Sequence, residues 1–124
     1  LLLVEDDPRI ASFLVKGLGA KGFDTEWVET GSDALARTSR RSFDVVILDL
    51  GLPDIDGLEV LAAWRKEGLA LPVVVLTARS DPRDRTRAHH LGISAYLMKP
   101  APFADLLAAL HSAMDTWPTR RVER

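Results

Sequence analysis

No cysteine occurs among the 124 residues. This excludes disulfides and thiolate metal centres and suits a reducing compartment. There is no excess of positive charge either. Sixteen Lys and Arg against 18 Asp and Glu leave a formal net charge of -2, which argues against this chain gripping nucleic acid by itself, since that takes a basic face. No apolar stretch approaches the ~20 residues of a membrane span. The opening LLLV is too short for a secretory signal. The chain starts with Leu inside an apolar run and reads as a trimmed piece. What remains is ordinary for one soluble globular domain: 47% hydrophobic and 27% charged residues, in a length that supports a single core.

Short apolar runs alternate with helical patterns along the chain. Leu1–Val4 reads as a strand. Asp7 and Pro8 then form an N-cap followed by proline at the first helical position. Ile10, Phe13, Leu14 and Leu18 follow at helical spacing, and Gly22 suits the stop. Thr25–Val28 is a second strand. Thr30 or Ser32 opens a second helix that turns Ala34, Leu35 and Thr38 inward. Val45–Leu48 is an unbroken apolar run, the mark of a strand covered on both faces. Asp56 and Gly57 begin a third helix carrying Leu58, Leu61, Ala62 and Trp64, and Gly68 ends it. Val73–Thr77 is another buried strand. Asp81 and Pro82 repeat the cap-and-proline signal, and Gly92 ends that helix. Ala95–Lys99 is the fifth strand. A last helix after Pro102 has Phe103, Leu106, Leu107, Leu110 and Met114 as its stripe. Residues 117–124 read as a polar tail or the beginning of a linker, which leaves 1–116 as the domain.

This alternation predicts a flavodoxin-like (βα)5 domain, an open doubly wound parallel sheet of order 2-1-3-4-5. Sites in such sheets form beyond the carboxyl ends of the strands. At those ends stand Glu5 and Asp6, Asp49, Thr77 and Ala78, and Lys99. In the expected order the first and third strands are neighbours, so Glu5, Asp6 and Asp49 converge. Like charges at that range repel, and a hard divalent cation such as Mg²⁺ removes the conflict. A carboxylate nucleophile, a metal seat, a cation and a hydroxyl make the kit of phosphoryl transfer, which works by positioning and charge neutralisation. Each residue alone has a plainer reading. Asp49 is followed by a turn-forming cluster, Asp7 is a helix cap, and Tyr96 is a core aromatic with its hydroxyl at the surface. The basic fourth helix, with Arg83, Arg85, Arg87, His89 and His90, is a solvated face. The joint placement is what is specific.

The motifs VEDD, LDLGLPDIDG, VVVLTA and YLMKP resemble those of the receiver domain of bacterial two-component response regulators over nearly the whole chain. Receivers of winged-helix DNA-binding regulators are the nearest group. The resemblance implies a phosphorylation-activated signalling switch rather than an enzyme. Asp49 would accept the phosphoryl group from a sensor histidine kinase. Asp6 and Asp49 would ligate Mg²⁺ directly, Glu5 would act through a water, and the Gly51 carbonyl would complete the protein ligands. Lys99, the Thr77 hydroxyl and the Ala78 amide would hold the phosphoryl group. Tyr96 would be the switch aromatic, Gly51 and Arg79 would tune the phosphoryl lifetime, and the Lys99-Pro100 peptide would be cis. The surface of the fourth helix, fifth strand and fifth helix would then change and control an effector, transcription in that group, in the cytoplasm and with no membrane contact.

The chain departs from the group where G-A-D-D-Y and K-P-F are expected. It reads GISAY and KPAPF, so Ser94, Ala95 and Ala101 replace two acids and an aromatic. Those acids form intersubunit bridges in the implied homodimer, and Arg85 with Asp105 is the one bridge retained. Three other functions compete. One is a receiver-like interaction module that is not phosphorylated. A second is an aspartyl-phosphate hydrolase, which would want an acid where Gly51 stands. A third is a flavin binder, which would want a phosphate cradle where the first acids stand.

Overall fold

The first strand, β1 (Leu2–Val4), is followed by α1 (Pro8–Ala20), β2 (Glu26–Val28), α2 (Gly31–Arg40) and β3 (Val46–Leu48). Then come α3 (Gly57–Lys66), β4 (Val73–Thr77), α4 (Pro82–Leu91), β5 (Ala95–Met98) and α5 (Phe103–Thr116). The structure, a computed structural model, describes residues 1–116, and the expected tail at 117–124 lies outside the described residues. The strands form one parallel sheet in the order β2-β1-β3-β4-β5, as the alternation predicts.

The period of two along each strand divides the core into two layers. Val4, Leu48, Val75 and Tyr96 lie in register across β1, β3, β4 and β5 and pack under α2, α3 and α4. Their neighbours Leu3, Ile47 and Val74 face the other way, against Leu14 and Leu18 of α1 and Leu106 and Leu110 of α5. Burial of each such side chain contributes roughly 1.5–3 kcal/mol. Both faces of the central strands are thus closed, which is why β3 and β4 read as continuous apolar runs.

The helix starts follow their caps. The Asp7 carboxylate accepts from Arg9 N–H, the Thr30 hydroxyl from Asp33 N–H, and the Asp81 carboxylate from Arg83 N–H. Glycines 22, 68 and 92, read as helix stops, take positive φ. The inward faces differ from the expected stripes at a few places. Phe13 is 64% exposed and Ala11 is buried in its stead, and the Phe13 ring lies edge-on against Phe103 of α5. Val60 rather than Ala62 fills the seam under α3, and Ala113 is more deeply buried than Met114. Thr38 turns inward for a polar reason: its hydroxyl accepts from the fully buried Trp64 indole at 2.8 Å and donates to the Ala34 carbonyl.

Candidate functional site

The strands end together at one edge, and four of the expected residues meet there. Glu5 and Asp49 are almost completely buried, at 1% and 6% exposure. Lys99 Nζ lies 2.9 Å from Glu5 Oε1 and 2.9 Å from Asp49 Oδ2. Carboxylate oxygens of Glu5, Asp6 and Asp49 all lie within 4.8 Å of one another, with Asp6 the most open. Local hydrogen bonds fix the geometry. Gly51 N–H donates to Asp49 Oδ1 at 3.1 Å, Asp7 N–H to Glu5 Oε2 at 3.0 Å, and the Trp27 indole to the Glu5 carbonyl at 2.7 Å. The Lys99-Pro100 peptide is cis.

The charges do not balance. Three carboxylates against one ammonium leave two negative charges uncompensated. Burial pushes the Glu5 carboxyl above its ordinary range, although the Lys99 ammonium and the Asp7 amide pull it down. Burial alone would lower the Lys99 pKa, but its hydrogen bonds to Glu5 and Asp49 outweigh this and raise it. The lysine therefore stays charged while the acids remain under-neutralised. An all-oxygen donor set with two excess negative charges fits one hard divalent cation that keeps part of its water.

The remaining expected residues sit around this cluster. The Thr77 hydroxyl is buried and accepts from Arg79 N–H at 3.3 Å. Tyr96 is 7% exposed, and its hydroxyl donates to the Arg79 carbonyl at 3.0 Å. The plainer expectation for Tyr96, a core aromatic with a surface hydroxyl, is half met: the ring is buried and the hydroxyl is bonded. Arg79 is more than a solvated loop residue, since its guanidinium reaches Asp56 Oδ2 at 2.7 Å and the Leu50 carbonyl at 3.2 Å. The two dimer candidates lie at the surface, where Arg85 places its guanidinium 4.7 Å from the centre of its own Tyr96 ring and Asp105 is exposed in the first turn of α5. Two of the arginines of α4 are paired within the chain, Arg83 with Asp81 and Arg87 with Glu59. That agrees with a solvated face.

A family model for the response regulator receiver domain matches residues 1–111. The chain belongs to that family. A transcriptional activator protein, IrlR of Burkholderia pseudomallei, is 40% identical to this receiver over 114 residues, which are 92% of this chain and 49% of IrlR. The chain spans about half the length of the curated relatives it matches. A CheY-like receiver domain protein from Methanospirillum hungatei superposes with a TM-score of 0.88 at 27% identity, over 92% of this chain and 91% of that one. The response regulator TrrA of Thermotoga maritima, solved in complex with Mg²⁺-BeF, has a TM-score of 0.81 at 30% identity, covering 90% of this receiver and 96% of its own chain. Among the described residues, no helix is long and apolar enough to cross a membrane.

Two parts of the site escaped sequence reasoning. Asp54 reads as a turn former, yet its carboxylate accepts from Gly31 and Ser32 N–H at 2.8 and 3.0 Å and so holds the start of α2. Those bonds, with a hydrogen bond to Ser32 foremost, hold its pKa far below the ordinary carboxylate range. Gly57 reads as part of a helix start, but a Cβ there would lie 2.5 Å from the Asp49 carbonyl oxygen and 2.6 Å from the Leu50 Cα. Both are contacts between segments, and no local pattern reports them.

Proposed function

We propose that this receiver takes a phosphoryl group on Asp49 from the phosphohistidine of a sensor kinase, in a Mg²⁺-dependent reaction. The observation that carries the reading is the Asp49 carboxylate itself. It is buried at the end of the central strand, between an ammonium and two further acids.

Asp6 and Asp49 would ligate the metal, with Glu5 acting through water and the Gly51 carbonyl completing the set. Bound there, Mg²⁺ supplies neutralising charge beside the incoming phosphoryl oxygens. The chain's own groups do the rest. An Asp49 carboxylate oxygen forms the new P–O bond as the P–N bond to the donor histidine breaks, and the imidazole keeps the electron pair and takes up a proton. Lys99 already bonds Asp49 and turns to a phosphoryl oxygen as the charge moves outward. The Thr77 hydroxyl and the Ala78 amide hold another oxygen, and Tyr96 follows Thr77. The added charge favours whichever conformation holds it better.

The surface of α4, β5 and α5 then differs between the two states and controls an effector. Transcription is the output that the longer relatives, transcriptional regulators, support, in the cytoplasm. Arg85 lies over Tyr96 in this state, so its bridge to Asp105 of a second copy would form only once that stacking is given up. A homodimer through this face would accordingly be weak.

The test is intact mass spectrometry after incubation with acetyl phosphate, with and without Mg²⁺, alongside Asp49→Asn. One phosphoryl addition that needs Mg²⁺ and is absent from the variant is the expected result. No addition under any condition would leave a binding module that is not phosphorylated.

A further inference from the structure

Each of the three acids is held differently. The Asp49 carboxylate accepts from Gly51 N–H and Lys99, and the Glu5 carboxylate from Asp7 N–H and Lys99. Among the described residues no donor reaches the Asp6 carboxylate, so its direction is set by its backbone. The peptide plane that leads into Asp6 carries the Glu5 carbonyl. That carbonyl accepts from the Trp27 indole at 2.7 Å, across 22 positions of chain. The bond takes over where the sheet stops. The β1–β2 ladder runs from Glu26 N–H on the Leu1 carbonyl to Glu5 N–H on the Val28 carbonyl. β2 ends at Val28, and Thr30 already caps α2, so a side chain of β2 takes the next carbonyl. The Trp27 ring packs against the layer of α1 and α5, which fixes the donor in place.

We propose that Trp27 is a positioning residue for the metal seat: its indole orients the Glu5–Asp6 peptide and so points the Asp6 carboxylate into the cluster. The inference rests on the Mg²⁺ reading above. It adds a residue of the edge strand β2 that meets neither the phosphoryl group nor the metal and acts through the Glu5 carbonyl. A trans peptide is rigid, so turning this plane moves the side chains on both sides of it. Asp6 is the most open of the three acids, and a plane left free would let its carboxylate turn out to water. Groups that orient a ligand from outside the coordination shell carry about tenfold or more in metal affinity. The indole is a neutral donor, so it fixes the plane without adding charge to the cluster.

The experiment measures Mg²⁺ binding by ¹H–¹⁵N shift titration of wild type, Trp27→Phe and Thr38→Val, and then the rate of phosphorylation by acetyl phosphate. Trp27→Phe keeps an aromatic ring and removes the donor. Thr38→Val strands a different indole, that of Trp64 in the opposite layer, and so controls for lost stability. The expected result is a Mg²⁺ dissociation constant raised about tenfold in Trp27→Phe and unchanged in Thr38→Val. At saturating Mg²⁺ the phosphorylation rate of Trp27→Phe should return to that of wild type, because Asp49 and Lys99 are undisturbed. In wild type, the Trp27 indole proton should exchange with solvent more slowly once Mg²⁺ is bound, since coupling is reciprocal. Unchanged Mg²⁺ affinity in Trp27→Phe, or an equal loss in Thr38→Val, would overturn the proposal. Indole exchange that ignores Mg²⁺ would overturn it too, and that measurement needs no variant. A wild type that binds no Mg²⁺ would sink the inference together with the metal seat. A wild type that binds Mg²⁺ but takes no phosphoryl group would sink the phosphoacceptor reading alone.

Discussion

Lys99 Nζ bridges Glu5 and Asp49 at 2.9 Å to each, and so one ammonium from the edge strand β5 restrains acids from two inner strands. Removing it leaves buried carboxylates unpaired, which is far more costly than never having made the pair. Lys99→Met keeps the apolar stem and loses the charge. Urea denaturation at neutral pH without Mg²⁺ should show a loss of about 3–5 kcal/mol. An unchanged midpoint would show that water screens these acids despite their burial.

Asp6→Asn should have the opposite sign. It removes one negative charge from an under-neutralised cluster and leaves the Lys99 bridge in place. The variant should gain about 1 kcal/mol without metal and lack the rise in melting temperature expected for wild type on adding Mg²⁺. Thermal scans with and without Mg²⁺ decide it, and a destabilised variant would contradict the charge count.

Two glycines near Asp49 should respond differently to alanine. At Gly57 the new methyl would meet the Asp49 carbonyl oxygen at 2.5 Å, whereas at Gly51 there is nothing within 4 Å. Gly57→Ala should cost about 1–3 kcal/mol through backbone displacement and slow phosphorylation by moving Asp49. Gly51→Ala should change stability by no more than about 0.5 kcal/mol. Denaturation curves and acetyl phosphate kinetics on the two variants give the comparison.

Thr38→Val is close in shape but removes the acceptor of the buried Trp64 indole. An unsatisfied buried donor costs about 1–3 kcal/mol. The same variant paired with Trp64→Phe should recover part of that loss, because no donor is then stranded. A double variant weaker than the sum of the singles would show that packing, and not the hydrogen bond, is what Thr38 supplies.

Metal binding should weaken in acid earlier than ordinary carboxylates would suggest. Burial raises the Glu5 pKa above 4.5 in the fold. For a raised group, the stability it contributes is fully present below the unfolded value and is lost as pH rises through the folded one. Mg²⁺ held at this cluster would compete with that proton, so its stabilising effect should grow with pH over the window that begins at 4.5 and extends upward. Lys99, raised above 10.5, stays charged throughout. Melting temperatures with and without Mg²⁺ across this range, on wild type and Glu5→Gln, test it. Identical profiles would rule out Glu5 as the titrating group.

The linear order of residues was sufficient for the architecture and for most of the site's membership. Periods of two and 3.6, cap residues and stop glycines are local properties, and five alternations of them allow few topologies. Four of the strand ends supply the cluster, β1 giving both Glu5 and Asp6, so Glu5, Asp6, Asp49, Thr77 and Lys99 could be assembled before any contact was known. What only the tertiary structure decided are contacts between segments far apart in the chain. Asp54 meets Gly31 across 23 positions, and Arg79 meets Asp56 across another 23. Phe13 stands outside the core and meets Phe103 of a distant helix edge-on. A side chain's pattern reports which face of its own element it occupies. Its partner depends on how the sheet twists and how the loops land, and that is settled by packing the whole chain at once.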